Sequence, residues 1–462
     1  MSLAQTVRKG ETLANLSDEV LFERLFYQRG KPTEDLLRIA EACSLLFSFR
    51  FEKFDDEETE LPFLSKLSGI SIQEFHRGVS ILHDRTLVQK RGVWRAVLPQ
   101  ALANRLACQA LKRISFDSIS TDFEKSTDRL FRSFSRRLSF LHTSQEAKQI
   151  VRKWISPGGL LGNPRILNDL GCVAFRNIAP VLPIEVLETL ERSFSGVLSE
   201  PLPDSILTNK SSWANLLKSL SWESNLFPKA AFFLARLAIS ELKGDRKGEA
   251  FGLFQELFFF NFSGSHATVE QRLRILNSLI GSSDPNAQIL GFHALEAALA
   301  VDHRSTSGNF HFGGHPRDYG WHPKNQGELL SWFRPFLEVA VKQALSSGEF
   351  RALVRKNLAR QLPVLSVRVG LSQEVEKAAL SIAGQEFWPD CWISVKGFLR
   401  KCGGKIPEKA LSNLSALEKA LRPTDLVQTI QAYVLSDLPT GNFPKRRPQK
   451  ERRSLFQKIR SQ

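Results

Sequence analysis

At 462 residues, with 42% hydrophobic and 24% charged residues, the chain is ordinary for a globular protein, which excludes wholesale disorder. It is long enough for roughly two to four domains, each with its own core. No apolar run approaches the ~18 residues of a membrane-spanning helix, and Met1 to Asn15 has no signal-peptide core.

The net charge of +15 is unevenly placed: Phe443 to Gln462 holds eight basic residues and one acid, and so accounts for +7 of it. The remaining body is only mildly basic, and a high pI alone is weak evidence for nucleic acid. Five scattered cysteines (Cys43, Cys108, Cys172, Cys391 and Cys402) with no CxxC spacing fit a reduced, cytoplasmic protein.

Residues 1–32 form an N-terminal helical lead-in. Thr33, ahead of Glu34 and Asp35, is a helix N-cap followed by acids in the first turn. Leu36, Leu37, Ala40, Cys43, Ser44 and Phe47 give that helix its buried face. An acidic loop, Asp55 to Glu60, leads to a short helix from Pro62 to Leu67. Ser71-Ile72-Gln73-Glu74 reads as a capping box opening a third helix that carries Ile72, Phe75, Val79 and Leu82. Arg85–Gln89 and Val93–Leu98 then read as two strands around Lys90-Arg91-Gly92, and a further helix follows Pro99. This order over residues 33–115 is that of a winged helix with one β-hairpin.

In a DNA reader the third helix would enter the major groove. Its outward positions, Gln73, Glu74, His76, Arg77, Ser80, His83 and Asp84, set two acids against one permanent cation, a poor surface for a polyanion. The strand pair offers Arg85, Lys90, Arg91 and Arg95. With Lys445, Arg446 and Arg447 of the tail, these are the candidate nucleic-acid contacts of the alternative reading, a DNA-binding transcriptional regulator.

Several stretches carry a family resemblance: Ser17-Asp18-Glu19, Leu25 to Lys31, Leu36 to Phe47, Leu82 to Val88, Arg91-Gly92 and Val97 to Ala103. Together they resemble the winged-helix region of bacterial STAND-type NTPases, relatives of NACHT and apoptotic ATPases. In that family the winged helix follows a P-loop domain and leads into a helical-repeat sensor. The resemblance implies signal recognition and defence, including against phage. The family's catalytic residues lie upstream of this module, where this chain has almost nothing.

A Walker A loop needs two glycines four residues apart followed by Lys and Ser or Thr. Gly397 to Gly404-Lys405 has the wrong spacing and continues into Ile406-Pro407, and Gly158-Gly159-Leu160-Leu161-Gly162 lacks the lysine. The chain is therefore expected to be no enzyme and to bind no cofactor.

Residues 116–205 read as a helical linker region, rich in Gly and Pro from Ser156 to Pro203. Residues 206–440 read as an α-helical repeat domain, solenoid-like but without a repeat of fixed length. Its later helices fall near Glu374–Phe387, Cys391–Arg400, Glu408–Leu421 and Thr424–Leu438.

A glycine- and histidine-rich loop over 302–327 interrupts the repeat domain. Loops of that length are uncommon in compact domains, and its aromatics argue against disorder. Its four histidines lack the tight pairs of a structural zinc site, so no metal is expected. His311, His315, Arg317, Asp318, Tyr319 and Trp321 form the candidate partner-binding loop; an ordered loop packed on the helices, with Arg317 paired to Asp318, is the plainer alternative. Residues 441–462 read as a disordered basic tail.

These readings converge on a mainly α protein, a winged-helix module followed by an α-solenoid-like repeat region. They point to a non-catalytic sensor or scaffold. Its expected partner is a protein ligand or a separate P-loop NTPase subunit, with nucleic acid second and no membrane.

Overall fold

The structure, a computed structural model, describes Phe26 and residues 34–52, 60–194, 196–198, 200–244, 247–301 and 311–432. Thr33, all of the acidic loop Asp55 to Glu60 except Glu60 itself, and the tail candidates Lys445, Arg446 and Arg447 lie outside the described residues. The described part is mainly α, with 21 α-helices and one three-stranded sheet. None of these helices is long and apolar enough to cross a membrane.

The first module runs α1 (Glu34–Ser44), β1 (Phe49–Arg50), α2 (Leu61–Ser68), α3 (Ile72–Asp84), β2 (Val88–Arg91), β3 (Trp94–Val97) and α4 (Gln100–Arg113). Helix α1 buries Leu36, Ile39, Ala40 and Cys43 and packs on α2, α3 and α4. At the head of α3, Ser71 Oγ accepts from the Glu74 N–H at 3.4 Å and donates to the Glu74 carboxylate at 2.7 Å. The expected box is therefore half made, because the carboxylate takes the hydroxyl rather than the Ser71 amide.

Two features of the sheet differ from the hairpin expected. Its strands are shorter, leaving Arg85 to Leu87 ahead of β2. A third strand, β1, also joins, giving the antiparallel order β1–β3–β2 with Phe49 opposite Arg95, Arg50 opposite Trp94, and Trp94 opposite Arg91. Two residues are too few to show period-two alternation. What defines β1 is pairing: Phe49 is fully buried, and the Phe51 N–H continues the ladder to Val93 O at 2.9 Å.

The remaining helices are α5 (Phe116–Glu124), α6 (Asp128–Leu138), α7 (Gln145–Ile155), α8 (Asp169–Ile178), α9 (Pro183–Phe194), α10 (Asp204–Thr208), α11 (Lys210–Leu220), α12 (Phe227–Leu242), α13 (Glu249–Glu256), α14 (Val269–Ile280), α15 (Pro285–Leu299), α16 (Gln326–Leu345), α17 (Arg351–Val364), α18 (Ser372–Ala383), α19 (Pro389–Cys402), α20 (Glu408–Ala420) and α21 (Leu426–Ile430). Many start at a polar cap: the side chains of Ser115, Thr127, Ser144, Asn168, Asp284, Asn325 and Asp425 each accept a first-turn N–H. Thr268 and Gln271 form a complete capping box at α14. Packing runs mostly between near neighbours in sequence: α6 on α8, α8 on α11, α11 on α12, α12 on α13 to α15, α16 on α17, and α17 on α19. The helices at Ser372–Ala383, Pro389–Cys402 and Glu408–Ala420 match the expected ones in place, with ends shifted by a few residues, while α21 falls within the helix expected over Thr424–Leu438, whose end lies outside the described residues.

Short helices create many ends, and each end leaves carbonyls without partners. Here buried guanidiniums meet them. Arg272 is fully buried, donates to Leu257 O (2.7 Å), Ala267 O, Ser263 Oγ (3.0 Å) and Ser265 O (3.3 Å), and sits over the Phe227 and Trp332 rings. Arg137 joins α6 to Gln100 and Asn104 of α4 and to Leu46 O after α1. Arg236 reaches Phe194 O and Glu200 O. Arg355 donates to Ala344 O at 2.8 Å and to Glu386.

Replacing Arg272 by Ala strands several buried carbonyls and opens a cavity. Urea unfolding should show a loss of about 3 kcal/mol or more, whereas a loss under about 1 kcal/mol would show that the guanidinium does not organise the 257–267 turn.

Candidate functional site

The segment from His311 to Asn325 crosses the helical layers as a strap. At one end the Gly314 N–H donates to Ser139 O at 3.0 Å, His315 Nε2 lies 2.7 Å from Pro180 O, and the His315 ring stacks on His142 at 4.0 Å. Further along, the Gly264 N–H donates to Tyr319 O (3.0 Å) and the Trp321 N–H to Ser265 O (2.9 Å), while the Trp321 ring stacks on buried Trp332 at 5.1 Å. Gly313 and Gly320 have φ of +58° and +84°, and a Cβ at either would run into backbone, of Ser139 and of Ser265 respectively. Glycine is therefore dictated at both.

Arg317 is the strap's anchor. Its side chain is only 4% exposed, donates to Ser219 O at 2.6 Å, approaches Glu223 at 3.8 Å, and lies over the rings of Phe312 (3.9 Å) and Trp222 (4.8 Å). The expected Arg317–Asp318 pair is not formed. Asp318 instead accepts from the Gly320 N–H at 2.9 Å and lies 2.7 Å from His266 Nε2. Burial pulls the Asp318 carboxyl upward, but those partners outweigh it and hold the group below its ordinary value. Burial lowers Arg317 to about 10 and Lys218 to about 8; Lys218 donates to Ser263 O at 2.7 Å just beneath the strap.

Of the six candidate loop residues, the structure thus buries Arg317, half-buries His315 and Trp321, and leaves His311, Asp318 and Tyr319 exposed, Tyr319 at 59%. Tyr319 meets Phe262 edge-on at 5.5 Å while remaining 59% exposed. Among the described residues no three His, Cys, Asp or Glu side chains converge as a metal-binding set.

The nucleic-acid candidates are likewise divided. Lys90 and Arg91 are exposed on the hairpin and Arg85 is half-buried. Arg95 is 8% exposed, bonded to Gly92 O and Trp94 O and placed over the Phe51 ring. Its guanidinium is spent inside the fold, because Arg95 faces Phe49 across the sheet rather than solvent.

A second surface went unread in the sequence. Helix α6 carries Arg129, Arg132 and Arg136 on one stripe, with Arg129 over the Trp94 ring at 4.9 Å and Arg136 over the Phe47 ring at 3.8 Å. The i, i+3, i+7 spacing in Asp128–Leu138 was the available signal. Its link to the sheet could not be seen without β1.

Two measurements test the strap. Thermal and urea unfolding should find Arg317→Ala costing about 2 kcal/mol or more and Tyr319→Ala within about 0.5 kcal/mol of the parent; equal costs would mean the anchor is misplaced. His142 is held below the ordinary imidazole value by burial first, then by His315 and Lys148. The unfolded chain takes up that proton at higher pH, so the stabilising contribution is present above about 6.5 and is lost as pH falls below it. His142→Asn should flatten this part of the stability–pH curve, and an unchanged slope would contradict it. No family model, curated protein or solved structure matches the chain, and the chemistry of these surfaces is read from their own side chains.

Proposed function

We propose that the protein is a non-catalytic, cytoplasmic sensor or scaffold that binds a protein ligand along its helical layers, in the manner of the C-terminal part of a STAND NTPase. The observation that carries this reading is the order α1-β1-α2-α3-β2-β3 with sheet order β1–β3–β2, the arrangement a winged helix has, running directly into successive packed helices. Stacked helical pairs form an α-solenoid whose long surface suits protein or peptide capture. The face of α3 supports a protein contact over a duplex one, since Glu74 and Asp84 are exposed beside Arg77. Tyr319, exposed on an anchored strap, is the aromatic contact of choice. Its partner would be a protein ligand or a P-loop NTPase subunit, with signal recognition or defence against phage as the role.

Two assays test the proposal. Isothermal calorimetry should detect no saturable ATP binding, and micromolar binding would overturn the non-catalytic reading. Co-expression with a P-loop NTPase encoded beside the gene should give one complex on gel filtration, weakened about tenfold or more by Tyr319→Ala. Two separate peaks would reject the split-subunit form.

A further inference from the structure

We infer that the face formed by α6 and the outer side of the sheet binds single-stranded nucleic acid, a surface distinct from the strap and independent of the sensor reading. Arg50, Trp94 and Arg91 stand opposite one another across β1, β3 and β2, and therefore share one side of the sheet. Trp94 is 39% exposed, a large indole left partly in solvent. Arg129 of α6 lies over that ring and also donates to Ser48 O at 2.7 Å, fixing α6 against β1. The helix also holds the residue just before that strand through Ser133, whose hydroxyl donates to Ser48 O. The stripe continues through exposed Arg132 to Arg136, which caps the Phe47 ring. Arg129 to Arg136 spans about 10 Å at 1.5 Å per residue.

Among the described residues, two of the five arginines on this face (Arg50, Arg91, Arg129, Arg132 and Arg136) meet carboxylates and three do not. Glu60 is engaged by Arg129 and by the Arg50 N–H, and Glu52 pairs with Arg50 at 3.2 Å. Asp128 opens α6. Among the described residues no carboxylate pairs with Arg91, Arg132 or Arg136. Cations spaced along a ridge, interleaved with an exposed indole, match a strand that offers phosphates and unstacked bases together. A duplex fits less well, because its bases are already stacked and the adjoining α3 face carries acids.

The test titrates the full chain against a fluorescent mixed-sequence DNA strand of about 20 nucleotides, longer than one aromatic-groove site. Arg132→Ala with Arg136→Ala should weaken binding at least about tenfold and make the log–log salt slope shallower by about 1.4, the loss of two phosphate contacts. Trp94→Ala should cost about fivefold or more on the single strand and spare duplex of the same sequence. Replacing Lys445, Arg446 and Arg447 by Ala should leave these losses in place. If Arg136→Ala lowers the melting temperature through Phe47, Arg91→Glu and Arg132→Glu, both solvent-facing, carry the same test. Absence of binding at low salt, or binding indifferent to these substitutions, overturns the inference. So does arginine-dependent binding of poly-glutamate without binding of the strand, which would assign the face to an acidic protein segment.

Discussion

The organising constraint in this fold is the satisfaction of helix-end carbonyls by buried guanidiniums. A chain built from short helices cannot expose every end to water, and an unpartnered buried carbonyl costs about 1–3 kcal/mol. Arginine is the one side chain with five donors in a rigid fork. Arg272 shows the result most fully: burial pulls it to about 9, yet it remains charged at neutral pH because carbonyls, a hydroxyl and two aromatic faces replace its water. Arg137, lowered to about 10 by burial first, performs the same service between the first module and α6. These residues tie the elements into one continuous apolar core running from Phe26 to Ala432.

The strap follows from that arrangement. Arg272 shapes the turn through Ser263 and Ser265, and the strap then lays its own backbone on Gly264 and Ser265. Arg317 locks it from the other side. Loops this firmly held hold their remaining exposed side chains in fixed positions, which lowers the entropy lost on binding a partner. The α6 face obeys the same logic: Trp94, Phe47 and their arginines are set by strand pairing and by helix packing rather than by mobile loops.

Much of this architecture was legible in the chain itself. Helices near Glu374, Cys391 and Glu408 announce themselves by apolar spacing and by Asp, Pro or Glu at their starts, and the Thr268–Gln271 box is complete as read. What was hidden depended on partners distant in sequence. Strand β1 is two residues long and exists through β3, 44 positions away in the Arg50–Trp94 pair by their numbering. Arg95 reads as a surface cation and is interior because Phe49 and Phe51 cover it. Arg317 and Asp318 are adjacent and oppositely charged, yet each finds its partners elsewhere: Arg317 in Ser219 O and Glu223, Asp318 in the Gly320 N–H and His266. Nothing in the local pattern of 257–267 foretells that Arg272 will gather its carbonyls.

The account rests on the strap being an ordered part of the fold rather than a loose loop, and hydrogen-exchange mass spectrometry of the chain alone tests this most directly. The amides of Gly264, Gly314 and Trp321, each donating to a carbonyl across the strap contacts, should exchange as slowly as those of the flanking helices α14 and α16. Exchange there at the rate of unstructured peptide, with α14 and α16 still protected, would contradict it.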